Sequence, residues 1–302
     1  MTVLRMRKLP ITMVALISLG FALLTAGWAA RPQTSAKSAA IDTTALQKEI
    51  ISKLSGNSEI RPGVKLANRG TIENKQEARN YLADVWKRLG MEPRRQGYGT
   101  EGENIFTILA CGKASAEAVV LGAHYDSVRN SPGANDNASG VAAVAGVAQE
   151  LVRVKKRSRD IIFVFFDEEE RSLRGSGAFA QMLLDEKRSV HSVHTIDQMG
   201  WDQNANRAIE LELPYDGAQD LYGRAVEALK VKLPILTTTE SGSDHSAFRR
   251  LGFKAVGITE EYRNKDTTPY IHRPGDTYET MNFEYLASTT RLIVEVMKRL
   301  TR

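Results

Sequence analysis

Residues Ile161–Phe166 form an unbroken apolar run of aliphatic and aromatic side chains, with charges on both sides. A short run without polar alternation predicts a strand buried on both faces, as at the middle of a mostly parallel sheet. Asn104–Ala110, Ala118–Ala123, a segment ending near Asp197 and Ala255–Ile258 read as further strands. Helical spacing marks the stretches between them. Thr44–Leu54 is one helix. A second starts with Asn74 at the cap and Glu77 three residues on, carries Ala78, Leu82, Val85, Trp86 and Leu89 on one stripe, and stops at Gly90. Val141–Val152, Ser176–Glu186, Ala218–Leu229 and Phe283–Leu300 repeat the pattern. Strands and helices alternate along the chain, which predicts an α/β fold: one domain with a mostly parallel mixed central sheet and helices on both faces.

Residues 1–30 differ from the rest. A basic start (Arg5, Arg7, Lys8) precedes an uncharged apolar stretch from Ile11 to Ala30 that ends in small residues. This reads as a signal peptide or, since a spanning helix needs roughly 20 apolar residues, an N-terminal membrane anchor. Residues 31–42 are a flexible spacer, and 43–302 form the domain. The formal net charge is +5, of which the leader carries three, leaving +2 for the remainder. So small and scattered an excess excludes a nucleic-acid footprint. Cys111 is the only cysteine, so no internal disulfide forms; it is expected to be a small buried residue. Export with one cysteine points to a bacterial periplasm or the cell exterior.

Three glutamates, Glu168, Glu169 and Glu170, follow the central strand, at the edge where open α/β sheets bind ligands. Alone they would suit a solvated acidic turn. Other strand ends and loops, however, carry His124, Asp136, Asp197 and His272. Together with Glu170 these make two imidazoles and three carboxylates, a donor set suited to zinc. Five donors exceed one tetrahedral site with an open position. They fit two metals that share a carboxylate and activate a water between them.

The segments Gly122–Ser127, Gly133–Gly140, Phe165–Glu170, Gly175–Ser176, Ile196–Gly200, Ser243–His245 and Ile271–Thr277 resemble, in order, those of the M28 family of zinc aminopeptidases. The likeness covers roughly residues 73–300. It implies a zinc-exopeptidase fold (phosphorylase/hydrolase-like) and two Zn2+ ions per chain. His124 and His272 would each bind one ion, Asp136 would bridge both, and Glu170 and Asp197 would complete the pair. Glu169 would be the general base that activates the bridging water. The family shows a small residue before its Glu pair, where this chain has Glu168. Gly175 sets the register, placing the ligand and the base five and six residues before it. Glu168 then reads as a flanking charge. A one-residue slip would make Glu168 the base and Glu169 the ligand.

Asp126, two residues after His124, would orient the imidazole. Tyr262 and Tyr270 are candidates for a hydrogen bond to the oxyanion, although Ile271 stands where the family often has an aromatic. Asp244–His245 would shape the cleft; Trp201 and Asp202 would line it or join the core. His191 and His194 are expected to be structural or exposed. The function these readings imply is an exported zinc-dependent aminopeptidase acting on peptides with a free N-terminus, as a monomer, with membrane association if the leader is retained. A single-zinc glutaminyl-peptide cyclotransferase on the same fold is the alternative. A non-catalytic peptidase-like binding domain is a further one, although no ligand is missing. The 75-residue step from Asp197 to His272 leaves little room for the inserted dimerisation domain of a related lid-domain carboxypeptidase.

Overall fold

A computed structural model of the chain describes residues 42–113 and 116–302. The leader 1–30 and nearly all of the spacer lie outside them. Among the described residues no helix is long and apolar enough to cross a membrane.

The central strand β4 (Asp160–Phe166) lies fully buried between β2 (Gly102–Leu109), which runs antiparallel to it, and β3 (Ala118–His124), which runs parallel. Beyond β3 follow β5 (Val190–Ile196) and β8 (Ala255–Thr259), both parallel to it. The sheet is completed by β1 (Arg94–Tyr98) on one side and by β6 (Ile209–Glu212) and β7 (Ile235–Thr238) on the other, giving the order β1-β2-β4-β3-β5-β8-β6-β7. The predicted α/β class with a mixed sheet is the one observed. Sequence reading missed β1, β6 and β7. They are short, polar or half-exposed, and offer no apolar run to read.

Alternate side chains of β4 serve the two faces. On one, Phe165 stacks on Trp86 at 4.5 Å, from α2 (Ile72–Arg88). The same face is covered by α1 (Thr43–Leu54), α3 (Gly140–Leu151), α5 (Ala218–Leu229) and α7 (Phe283–Leu300). On the other, Phe166 meets Phe179 of α4 (Arg174–Asp185) and Phe248 of α6 (His245–Arg250). The second helix begins one turn fragment earlier than its sequence suggested: Thr71 is the cap, and its hydroxyl accepts the N–H of Asn74. Cys111 is half-buried rather than buried.

The chain leaves β3 toward β4 on one side and, after it, β5 on the other. Their connections therefore diverge at the carboxyl end of β3 and open a crevice there. Gly122, one turn of the pleat before that end, lies under Phe166: a Cβ there would stand 2.5 Å from the ring. Gly122→Ala is expected to cost about 1–3 kcal/mol, the usual toll of overpacking, read as a lower denaturation midpoint with an unchanged slope. An unchanged midpoint would mean that the ring moves aside freely.

Candidate active site

Five segments converge on the crevice. β3 ends in His124, β4 runs through a tight turn into Glu169 and Glu170, and β5 delivers Asp197. The loop before α3 brings Asp136, and the loop after β8 brings His272. Their donor atoms form two groups that share Asp136: His124, Asp136 and Asp197, and Asp136, Glu170 and His272. His124 Nε2 stands 3.4 Å from Asp136 Oδ1 and 3.4 Å from Asp197 Oδ1. His272 Nε2 stands 3.2 Å from Asp136 Oδ2 and 2.9 Å from Glu170 Oε2. The first group is buried, whereas the His272 side chain is 51 % exposed, so the second opens to solvent.

These spacings and the unsatisfied atoms fit a divalent cation in each group. Two donors on one tetrahedral zinc, bonded at about 2.0–2.1 Å, stand about 3.3 Å apart. His124 Nε2, Asp197 Oδ1 and Glu170 Oε1 are buried without a hydrogen-bond partner, an arrangement that calls for a missing ligand. The imidazole is turned for the purpose: Nδ1 faces the main-chain oxygen of Asp126 at 3.3 Å and its carboxylate at 3.4 Å, which leaves the Nε2 lone pair for the cluster. Charge points the same way. Burial, with Asp197, Asp244 and Asp126 adding to it against His124, pushes Glu169 up to about 10. Burial and Asp136 push Glu170 up to about 8. A hydrogen bond to Asp136 lifts His272 to about 9, and burial fails to keep His124 low against Glu169 and Asp197. The site thus holds more negative charge than its two imidazoles offset.

Backbone positions are set by groups that the sequence did not single out. Asp276 accepts the N–H groups of Asn135 and Asp136 at 2.7 and 3.0 Å, tying the His272 loop to the Asp136 loop. Glu260, fully buried, accepts from Asn135, Trp201, Thr267 and Thr268. The buried guanidinium of Arg69 donates to the carbonyls of Leu54, Tyr125, Pro132 and Gly133. Asp126, besides facing His124, accepts the N–H groups of Glu169 and Glu170 at 3.1 and 3.3 Å, so it acts as a positioning residue.

Glu168 corrects the expectation of a flanking charge. It is 2 % exposed, takes a left-handed φ of 55°, and pairs with Lys75 at 3.1 Å and Arg171 at 2.9 Å. Lys75 also pairs with Asp167 at 3.2 Å, and Arg79 holds the same carboxylate. The network draws Glu168 away from the donors, which disfavours the one-residue slip. Gly175 closes the turn from below, where a Cβ would stand 2.0 Å from the carbonyl oxygen of Asp167.

A cleft of about 1080 Å³ opens over the cluster, lined by Glu169, Glu170, Asp197, His272 and Tyr262 among others. Tyr262 donates its hydroxyl to Gln198 at 2.6 Å. Tyr270 and Trp201 pack edge to face at 6.0 Å, and neither is part of the cleft wall. Asp202 accepts the N–H of Arg207 and is likewise no part of the wall. Asp244 is buried, pushed up to about 7 by that burial, with one oxygen unpartnered. His194 is a core residue beside Tyr222 at 2.9 Å, and His191 is half-buried.

The model of peptidase family M28 matches residues 104–297. The chain belongs to peptidase family M28. Among curated relatives, aminopeptidase YwaD of Bacillus subtilis is 30 % identical over 185 residues, which are 59 % of this chain and 40 % of that one. The chain spans 40–66 % of the length of the first curated relatives it matches. Among solved structures, LapB from Legionella pneumophila superposes with a TM-score of 0.75 at 25 % identity, over 85 % of this chain and 72 % of that one. BSAP, a zinc aminopeptidase from Bacillus subtilis, gives 0.61 at 25 % identity over 66 % and 50 %. A glutaminyl cyclase from Porphyromonas gingivalis shares the fold, with a TM-score of 0.69 at 15 % identity over 85 % and 98 %.

Removing Lys75 leaves Glu168 and Asp167 short of a buried counter-charge. Lys75→Met is therefore expected to destabilise the protein by about 3–5 kcal/mol, measured by denaturant unfolding. A loss below about 1 kcal/mol, the scale of a surface pair, would contradict the buried network.

Proposed function

We propose that this M28 chain is an exported zinc-dependent aminopeptidase that uses two zinc ions to hydrolyse peptides from a free N-terminus. The observation that carries the reading is Asp136, whose two oxygens face two different histidines at 3.4 and 3.2 Å. One carboxylate thereby serves two donor groups. His124, Asp197 and one oxygen of Asp136 would hold the first ion; Glu170, His272 and the other oxygen would hold the second. Bound there, the ions would supply Lewis-acid polarisation of the scissile carbonyl and make water more acidic.

The rest of the chemistry falls to the chain's own groups. Glu169 lines the cleft and comes no nearer than 4.0 Å to His124, outside both donor groups. It takes the proton of the attacking water as the C–O bond forms and gives it to the leaving amine as the C–N bond breaks. Asp126 holds its backbone at that position. Tyr262 reaches the cleft, and its hydroxyl, released from Gln198, would donate to the oxyanion. The substrate's α-amine would be held by carboxylates near Glu169 and Asp197. Export rests on the leader, basic and then apolar over residues 1–30.

The purified protein, stripped of metal and titrated with zinc, is expected to hydrolyse aminoacyl arylamides with activity rising to a plateau near two ions per chain. Glu169→Gln should retain the metal and lose about 10²–10⁴-fold in kcat. N-acetylated peptides should be poor substrates, because the blocked amine cannot be held. A plateau at one ion, with cyclisation of N-terminal glutamine and no arylamide turnover, would instead establish the cyclotransferase. Tight zinc binding with neither reaction would leave a binding domain.

A further inference from the structure

The cleft extends past the donor cluster along β6. Glu210 and Glu212 are two residues apart on that strand, so their side chains leave the same face of the sheet, and both line the cleft. They are 0 % and 8 % exposed. Glu210 Oε1 accepts the N–H of Arg263 at 2.5 Å, while its Oε2 is buried without a hydrogen-bond partner. Glu212 Oε2 is unpartnered too, with His245 Nδ1 3.5 Å away. Burial pushes that imidazole down to about 4, so it brings no charge at neutral pH. Glu240 adds an exposed carboxylate to the same wall. The guanidinium of Arg263, on the same cleft wall, is exposed and donates to the carbonyl of Thr237 at 3.3 Å, and its charge offsets part of that of Glu210.

Burial pushes Glu212 up to about 8 and raises Glu210 as well, so both carboxyls are costly to ionise, and a cation entering beside them removes the cost. Their placement two strands away from Asp197 favours a cation on a long stem. On the sheet, β8 separates β5 from β6: Ile196, just before Asp197, pairs with Ile258, while Glu210 and Glu212 pair with Thr259 and Gly257. Two strand spacings are about 10 Å. A substrate residue whose α-amine rests near Glu169 and Asp197 would reach the β6 carboxyls with a long side chain. Lysine and arginine carry a charge at the end of such a stem, whereas a leucine would lay apolar surface against unpaired carboxylates.

We propose that Glu210 and Glu212 form the side-chain subsite for a basic N-terminal residue, so that the enzyme releases arginine and lysine in preference to leucine. The proposal rests on the aminopeptidase reading and adds the substrate class. Its test compares arginyl, citrullyl and leucyl p-nitroanilides on the zinc-loaded wild-type protein. Citrulline keeps the shape of arginine without the charge, so no variant has to fold. The kcat/KM for arginyl should exceed both others by about tenfold or more, the discrimination of one charge-assisted contact. In the E210Q/E212Q protein the arginyl-to-citrullyl ratio should fall about tenfold, mainly through KM. Equal rates for arginyl and citrullyl, or a ratio unchanged by the double substitution, would overturn the subsite. If none of the three is hydrolysed, the aminopeptidase reading fails separately. Calorimetry with free arginine and citrulline on the zinc-loaded wild-type protein then decides the subsite: tighter arginine supports it, and equal binding overturns it.

Discussion

The structure depends on a concentration of negative charge at one end of a sheet. Asp126, Asp136, Glu169, Glu170, Asp197 and Asp244 gather around His124 and His272, and several are driven toward neutrality by burial and by one another. Such a set persists in a folded protein only if its geometry is enforced from outside and its charge is met by cations. Enforcement comes from the groups that grip the loops: Asp276 holds the backbone N–H groups of Asn135 and Asp136, Glu260 holds the side-chain amide of Asn135, Arg69 holds the carbonyls leading to them, and Lys75 with Arg79 anchors the turn of Glu168. In the proposed reading, the cationic partners would lie in the two donor groups that share Asp136.

The sheet explains why these residues meet. Parallel strands place their carboxyl ends along one edge, and the reversal of connections beside β3 leaves that edge open. Strand ends bring residues 124, 170 and 197 to that edge, and the loops held by Asp276 and Arg69 add 136 and 272. Membership of peptidase family M28 agrees with this layout, as does the likeness to solved structures over 85 % of the chain. The fold alone does not choose the chemistry, since a glutaminyl cyclase superposes nearly as well. The choice lies in the donor set and in what lines the cleft.

Much of this was legible in the sequence because the buried elements carry strong patterns. β4 is apolar throughout and flanked by charge, and each histidine or acid of the cluster follows a strand or sits in a glycine-rich loop. What escaped notice lacks such a signal. β6 alternates Ile-Glu-Leu-Glu over four residues, and its glutamates look like a solvated face until the neighbouring loops cover them. Lys75 stands in the first turn of a helix, where a lysine is ordinarily exposed, and its burial comes from the acidic turn packed over it. Glu168 was misread for the same reason: three adjacent glutamates suggest solvent, and it takes the tertiary contact with Lys75, beside the local Arg171 and Arg174, to bury one of them. Tyr262 and Tyr270 were equivalent candidates in sequence, but the chain aims only the first into the cleft.

The central claim is that Asp136 is shared between two metal positions. Zinc-edge anomalous diffraction from crystals of the zinc-loaded protein tests it most directly. Two peaks are predicted, one among His124, Asp136 and Asp197 and one among Asp136, Glu170 and His272. A single peak at saturating zinc, or a peak that bypasses Asp136, would contradict it.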